Sequence, residues 1–238
     1  MLRALQLIYP PQCISCEALL AEDLGLCAAC WRATPFISGH VCDACGVSLP
    51  GHDDGQKDLC DDCLRIARPW HAGRAALVYR DNARRIVLAL KHGDRLELAK
   101  PAARWMLAAA RPILSGGQLV IPVPAHWSRY LRRKYNQAAI LAGEVARLTR
   151  SEYLPDALVR TRRTAIQDGM GFDGRFRNVA QAIKPHAKRS AALRGRNILL
   201  IDDVMTSGAT LAAASQACLA AGATQVCVLA LARVAKDT

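Results

Sequence analysis

One stretch, residues 198–210, constrains the fold of this chain more than any other. It begins with four apolar residues, 198–201, of the kind found in a strand that is buried on both faces of a sheet. Two adjacent acids, Asp202 and Asp203, follow this run, and a loop of small and hydroxyl-bearing residues comes next. The Ala-rich segment after the loop predicts a helix with Gly222 as its C-terminal cap. A strand that enters a helix through a tight loop is typical of an α/β sheet with an anion site at that edge.

The loop has the features of an anion site, and it consists of Thr206, Ser207, Gly208, Ala209 and Thr210. The N-terminus of the following helix offers free amides and the positive end of the helix dipole, and the hydroxyl groups add further donors. The two carboxylates would repel a bare phosphate, but they suit the vicinal hydroxyls of a sugar or a hydrated Mg²⁺. Phosphate and hydroxyls together describe a ribose 5-phosphate. The alternative interpretation is an ordinary strand–turn–helix with two exposed acids.

The chain after residue 74 alternates predicted strands with predicted helices. Apolar runs predict strands, and helical spacing of apolar residues predicts helices. The predicted strands are residues 74–79, 119–123, 157–160, 198–201 and 225–232, and the predicted helices are 82–91, 96–114, 138–149 and 211–221. Such alternation predicts a parallel α/β sheet. Two cysteines in these elements, Cys218 and Cys227, are predicted to pack in the core.

Eight of the ten cysteines form four Cys-x-x-Cys pairs within the first sixty-five residues. Each pair can bring two thiolates onto one ion, and two pairs complete a tetrahedral Cys₄ zinc site. Sequential pairing gives one site from Cys13, Cys16, Cys27 and Cys30 and another from Cys42, Cys45, Cys60 and Cys63. Interleaved pairing is the open alternative. Because all eight thiolates are then used, both zinc ions are predicted to be structural and to supply much of the folding energy of this short segment.

Positive charge is concentrated in one part of the chain. The net charge is +12, and residues 129–196 hold sixteen Lys and Arg against five acids, which is +11. This excess predicts a polyanionic partner, either a phosphate-rich small molecule or nucleic acid, and the alternative is a solvated basic surface. Three of these cations, Arg129, Arg133 and Lys134, follow the predicted strand 119–123, where parallel sheets bind ligands.

The sequence also bears on location. The sequence contains no run of about 18 apolar residues, so no membrane span is predicted. The first nine residues lack the basic start, the long apolar run and the cleavage site of a secretory signal. The prediction is a cytoplasmic protein, and thiols in that compartment favour zinc over disulfides.

These segments together resemble the ComF family over nearly the whole chain. The 198–210 stretch is itself similar to the phosphoribosyl-pyrophosphate signature of type I phosphoribosyltransferases. The other matching pieces are Pro10-Pro11 with the first cysteine pair, Leu90-Lys91-His92-Gly93, Ile121-Pro122-Val123-Pro124, Tyr135-Asn136-Gln137, and Arg162 through Gln167 to Arg177-Asn178. One departure is Lys134, where the family usually has Gly.

The resemblance implies a fold and a use for it. The expected architecture is a type I phosphoribosyltransferase-like parallel sheet flanked by helices at residues 74–238, preceded by a double zinc ribbon at residues 1–68. The expected role is the handling of single-stranded DNA in natural competence or in the use of DNA as a nutrient, with a helicase-type protein as a possible partner. Residues 69–73 are the predicted linker.

Two functional hypotheses follow. In the first, loop 206–210 holds the 5-phosphate, Asp202 and Asp203 accept bonds from the ribose hydroxyls and stabilise charge at C1, and Mg²⁺ carries the pyrophosphate beside Arg129, Arg133 and Lys134. Nothing in the sequence selects an acceptor, so turnover is left open. In the second, the chain is a non-catalytic single-stranded DNA-binding adaptor. It would use its zinc ribbons and basic face, with Trp127, Tyr130 or Tyr135 stacking on bases. A purely structural adaptor leaves loop 206–210 without a role.

Overall fold

The computed structural model describes residues 10–21, 25–92, 95–125, 135–162, 176 and 181–235. In chain order its helices and strands are α1 (Ala28–Arg32), α2 (Asp61–Arg65), β1 (Ala72–Val78), α3 (Asp81–His92), α4 (Ala99–Ala110), β2 (Leu119–Pro122), α5 (Gln137–Thr149), β3 (Glu152–Tyr153), β4 (Leu158–Arg160), β5 (Ile183–Pro185), β6 (Asn197–Met205), α6 (Ala209–Ala220) and β7 (Gln225–Arg233). The helices and strands predicted after residue 74 are present, and α1, α2, β3 and β5 are additional elements that were not predicted. No helix among these described residues is both long enough and apolar enough to cross a bilayer.

Five strands form one parallel sheet in the order β1-β7-β6-β2-β3. β6 lies at its centre, pairing with β2 from Ile198 to Ile201 and with β7 along its whole length. Strands β4 and β5 form a separate antiparallel pair. The predicted fold, a parallel sheet flanked by helices and preceded by a Cys₄ module, is confirmed.

The two faces of the sheet carry different layers because alternate residues of β6 point to opposite sides. Ile198 and Leu200 belong to a core with α6, the β4–β5 pair and the second cysteine cluster. Leu199 and Ile201 belong to a core with α3, α4 and α5, which also contains Ile14 of the first cysteine segment. Each cysteine segment therefore contributes to a different face of the sheet.

The second cysteine segment lies against β1 through two glycines. A Cβ on Gly46 would be 2.7 Å from the amide nitrogen of Ala75, and a Cβ on Gly73 would be 2.3 Å from the carbonyl oxygen of Ala44. The Gly73 amide also donates to the Asp43 carbonyl at 2.8 Å. Side chains at these glycines would push the two parts of the chain apart.

The segment between the two cysteine clusters covers the outer side of β1. The Ile37 amide donates to the Ala76 carbonyl and the Val78 amide donates to the Pro35 carbonyl, both at 2.9 Å. Phe36 and Leu77 form an antiparallel bridge between these contacts.

Several boundaries differ from the prediction. β6 was predicted for residues 198–201, but it continues to Met205, so both acids lie inside the strand because β7 still pairs there. β1 begins at Ala72, which shortens the linker, and the division into domains at 68 and 74 stays a prediction. The predicted helix 96–114 is a 3₁₀ turn, α4 and a second 3₁₀ turn that contains Pro112. Several residues named in the sequence analysis lie outside the described residues. They are Arg129, Arg133, Lys134, Trp127, Tyr130 and most of the segment 162–178.

Candidate functional site

The strand order of the sheet reverses between β6 and β2, and open α/β sheets have their ligand-binding crevice at such a point. The chain leaves β2 towards β3 on one side and leaves β6 towards β7 on the other, and ligands of open α/β sheets bind beyond the carboxyl ends of strands at such a point. Asp202 and Asp203 lie near the carboxyl end of β6, loop 206–210 follows β6, and Val123 follows β2. The Val123 amide donates to the Ile201 carbonyl at 2.9 Å, which is the last backbone bond between these two segments.

The two acids lie at the same point of the strand but have different partners. The Lys91 Nζ atom, from the end of α3, is 3.3 Å from Oδ2 of Asp203, and both side chains are largely buried. The Asp203 amide donates to Oδ1 of Asp202 at 2.9 Å. This hydrogen bond fixes the Asp202 carboxyl group, and the lysine fixes that of Asp203.

Asp202 has an unusual acidity for a carboxyl group. Burial and the neighbouring charge of Asp203 raise the pKa of Asp202 to about 7, although the charges of Lys91 and Arg160 act in the opposite direction. A carboxyl group with a pKa near neutral changes its charge over the physiological range, which is common at functional sites. Asp202 is therefore the acid whose state responds most readily to a cationic or hydroxyl-bearing ligand.

Loop 206–210 is shaped by one glycine and one buried serine. Gly208 has a φ of 80°, a left-handed conformation, and it is the N-cap of α6, where its carbonyl accepts from the Ala212 amide at 2.8 Å. Ser207 is buried, and its Oγ accepts from the Ala209 amide at 3.4 Å. α6 has twelve residues, so the loop stands at the positive end of a full-length helix dipole.

Two arginines donate hydrogen bonds to carbonyl groups of the loop. Arg68 Nη1 donates to the Ser207 carbonyl at 2.7 Å. Arg233 Nη1 donates to the carbonyls of Thr206 and Val234. With these carbonyl oxygens bound, the loop can present its amides and hydroxyl groups to an anion.

The eight cysteines form two clusters with sequential pairing. The Sγ atoms of Cys13, Cys16, Cys27 and Cys30 lie within 4.8 Å of one another, and so do those of Cys42, Cys45, Cys60 and Cys63. The Sγ atoms of Cys16 and Cys27 are 3.6 Å apart and those of Cys45 and Cys60 are 3.7 Å apart. Tetrahedral zinc with Zn–S bonds of about 2.3 Å requires about 3.8 Å, so both clusters fit zinc.

Two arginines contact sulfur atoms of the second cluster. Arg68 Nε donates to Cys63 Sγ at 3.4 Å, and Arg233 Nη2 is 3.9 Å from Cys45 Sγ. His40 is not a ligand, because its Nε2 contacts Asp58 at 2.8 Å and its Nδ1 contacts the Pro50 carbonyl at 3.0 Å. The sequence reasoning missed both arginines. The one available signal was a cation, Arg233, directly after the apolar run 226–232.

A cleft of about 880 Å³ opens beside the second cluster and loop 206–210. It is lined by Thr206, Ser207 and Arg233, and also by residues of the segment 42–65 that carries the second cluster, called the second ribbon, such as Leu49, Asp58 and Cys60. Asp202 and Asp203 do not line it, so it is distinct from the crevice at the strand-order reversal.

The chain is similar to known proteins along nearly its whole length. The model of the double zinc ribbon domain family matches residues 4–65. DNA utilization protein YhgH of Escherichia coli K12 is 30% identical over 233 residues, covering 95% of this chain and 99% of that protein. Competence protein F of Haemophilus influenzae is 27% identical over 228 residues, covering 93% and 96% of the two chains. Competence protein ComFC of Bacillus subtilis is 26% identical over 211 residues, covering 86% and 82%. The predicted resemblance is thereby confirmed, and the chain belongs to the ComF family.

Proposed function

We propose that this chain binds phosphoribosyl pyrophosphate, or a phosphoribosyl group of similar chemistry, in the crevice between β2 and β6. The observation that carries the proposal is the placement of two partly buried carboxyl groups near the carboxyl end of β6, just ahead of a loop whose left-handed Gly208 begins a twelve-residue helix. This arrangement offers acceptors for sugar hydroxyls and donors for a phosphate within one short stretch of chain.

Different residues of the site would bind different parts of the ligand. Thr206, Ser207 and Thr210 supply hydroxyl groups and loop 206–210 supplies amides, and together they would hold the 5-phosphate. Asp202 and Asp203 would accept hydrogen bonds from the ribose hydroxyls, and their charge would stabilise positive charge at C1 if the glycosidic bond breaks. Lys91 holds the Asp203 carboxyl group in place through the 3.3 Å contact.

A divalent cation fits this site. Carboxylate oxygens are the protein ligands that Mg²⁺ prefers, and Asp202 and Asp203 would hold it together with phosphate oxygens of the ligand. When bound, Mg²⁺ would neutralise charge on the pyrophosphate. Arg129, Arg133 and Lys134 are proposed to contact the pyrophosphate, because they follow β2 at this end of the sheet.

The proposed cellular role comes from the relatives. Proteins named for DNA utilization and for competence cover nearly the whole chain, so we propose that the site serves the uptake or processing of single-stranded DNA. The acceptor of a transfer reaction, if one occurs, is not indicated by the described residues. Cytoplasmic location and a helicase-type partner stay predictions.

Isothermal titration of phosphoribosyl pyrophosphate with Mg²⁺ tests the proposal. Replacing both acids, Asp202→Asn/Asp203→Asn, should weaken binding at least about tenfold, since each hydrogen bond to a charged group is worth roughly 1.5–3 kcal/mol. The matched control is Asp53→Asn/Asp54→Asn, an adjacent exposed pair that carries the same change in charge and caps its own turn. Equal affinity in the two double variants, or no saturable binding to the wild type, would refute the proposal.

A second candidate function, a non-catalytic single-stranded DNA-binding adaptor, is favoured by one surface. Residues 181–196 contain five cations and no acid, and Lys184, Lys188 and Arg194 are exposed. The second ribbon, in contrast, holds six aspartates and two cations between residues 42 and 65, so a polyanion is expected to avoid it.

The salt dependence of DNA affinity tests whether DNA binds at this surface. For single strands the slope of log affinity against log salt is about −0.7 per phosphate contacted. Lys184→Gln/Lys188→Gln should reduce the slope by about 1.4, whereas Lys100→Gln/Arg104→Gln, on the opposite face of the sheet, should leave it unchanged. A slope that is the same in both variants would exclude this surface. Competition between DNA and phosphoribosyl pyrophosphate would show that the two ligands share the crevice.

A further inference from the structure

Two arginines connect the second cysteine cluster with loop 206–210. Arg68 donates from Nε to Cys63 Sγ at 3.4 Å and from Nη1 to the Ser207 carbonyl at 2.7 Å. Arg233 approaches Cys45 Sγ with Nη2 at 3.9 Å and donates from Nη1 to the carbonyls of Thr206 and of Met205, the latter at 3.4 Å. Each guanidinium group therefore contacts a thiolate and the loop at the same time.

The negative charge of a zinc-loaded cluster would balance the positive charge of the two arginines. Zinc with four thiolates carries a net charge of −2, and the two guanidinium groups carry +2. Arg233 is only 5% exposed, and a buried cation requires a counter-ion. Within the described ranges, no carboxylate forms an ion pair with either arginine. They contact the sulfurs of Cys63 and Cys45, which as zinc-bound thiolates would supply the balancing negative charge.

Packing leaves little room for the loop to move independently. A Cβ on Gly208 would be 3.1 Å from Arg68 Nη1 and 3.1 Å from Trp70 Cη2. Arg68 lies over the ring of Trp70 at 5.4 Å from its centroid, and Trp70 Nε1 donates to the Ala44 carbonyl in the second ribbon. The loop, the arginine, the tryptophan and the ribbon form one continuous contact.

We propose that the second Cys₄ site positions loop 206–210 through Arg68 and Arg233, and that the shape of the loop depends on zinc in this site. When the metal is lost, the four thiolates take up protons and become neutral thiols, so the cluster loses its negative charge. The arginines then have no anion to hold them, and the carbonyls of Thr206 and Ser207 are released. Both arginines are positioning residues, since they act on the ligand only through the loop.

Among the residues that the structure describes, no arginine connects the first Cys₄ site with loop 206–210. The backbone amides of Cys27 and Cys30 donate to two of its thiolates. Its link to the sheet is Asn82 at the start of α3, which donates to the Cys30 carbonyl at 3.3 Å and to Thr34 Oγ1 at 2.8 Å. The two sites therefore differ in their effect on the loop, although their ligands are the same.

Hydrogen–deuterium exchange on the full-length chain, with zinc content measured in parallel, tests the inference. Cys63→Ser should lower the zinc content from two ions to one and should speed amide exchange in peptides covering residues 205–212 at least tenfold. Cys16→Ser should lower the zinc content equally and leave exchange in those peptides unchanged. Peptides from residues 197–202 and 225–231 should stay protected in both variants, which shows that the sheet is intact. Equal loop exchange in the two variants would overturn the inference.

A second pair of variants keeps all eight cysteines. Arg68→Lys retains the charge but cannot contact thiolate and carbonyl in the same way, and its control is the exposed Arg65→Lys in α2. Loss of a partner to a metal ligand typically weakens metal binding 10–100-fold. Arg68→Lys should therefore release one of the two zinc ions about tenfold faster to a chelator, with faster loop exchange. Release and exchange at the wild-type rates would contradict the inference.

The inference rests on the proposed function only for the identity of the ligand, and the two can fail separately. A wild-type chain that binds no phosphoribosyl pyrophosphate but shows loop exchange governed by the second zinc would refute the proposed function alone. A wild-type chain that binds this ligand with loop exchange indifferent to the second zinc would refute the coupling alone.

Discussion

Replacing Gly208 by alanine would test how tightly the loop is held against the second ribbon. A non-glycine residue in the left-handed conformation costs about 1–2 kcal/mol. At Gly208 the new Cβ would also lie 3.1 Å from side-chain atoms of Arg68 and Trp70, and overpacking of this kind costs about 1–3 kcal/mol more. Gly195 is a matched control because its φ is 69° and no atom lies within 4 Å of the position of a Cβ. Gly195→Ala therefore carries the backbone cost without the contact.

The assay is thermal unfolding of both variants with two zinc ions bound. If the contact costs about 2 kcal/mol, Gly208→Ala should unfold about 4–8 °C below Gly195→Ala, since 1 kcal/mol corresponds to about 2–4 °C for a chain of this size. Gly208→Ala should also lose affinity for phosphoribosyl pyrophosphate, while Gly195→Ala keeps it. Equal unfolding temperatures would show that Arg68 and Trp70 yield freely, and the reasoning about a rigid contact would be refuted.

Three further outcomes are expected. Because the pKa of Asp202 is raised from 3.8 to about 7 in the folded chain, its contribution to stability is present below about pH 4 and is lost as the pH rises to about 7. Urea unfolding of the wild type should thus show a fall in stability between about pH 4 and pH 7 that Asp202→Asn lacks, and parallel profiles would contradict this. Lys91→Met removes a charge that lowers the pKa of Asp202, so the fall should move to higher pH in that variant, and an unmoved profile would disprove the electrostatic link. Burial raises the pKa of Cys218 to about 12, so iodoacetamide should label Cys218 only after unfolding, as read by mass spectrometry; rapid labelling of the folded chain would contradict its burial.

The sequence predicted those parts of the fold that depend on local pattern. Apolar runs such as 198–201 identified the central strands, and the paired cysteine spacings identified both clusters. The end of β6 was not predictable, because Asp202 and Asp203 stay in the strand only through pairing with β7. Strand pairing of this kind depends on the tertiary structure, and two adjacent acids give no indication of it in the sequence.

The contacts around loop 206–210 were beyond sequence reasoning for a similar reason. Arg68 and Ser207 are 139 residues apart, and Arg233 and Cys45 are 188 residues apart. Nothing near either arginine in the sequence indicates a zinc thiolate as its neighbour. The sequential pairing of the cysteines was likewise one of two open alternatives, and only the positions of the Sγ atoms decided it.

The segment that covers β1 has a consequence for self-association. β1 is an edge strand, and an uncovered edge is a template for pairing with another copy of the chain. Its cover, residues 35–37, lies between Cys30 of the first site and Cys42 of the second, so each metal anchors one end. The opposite edge, β3, is only two residues long and offers little to pair with. Loss of either zinc would therefore expose the longer edge, which makes the two ribbons a barrier to aggregation as well as part of the core.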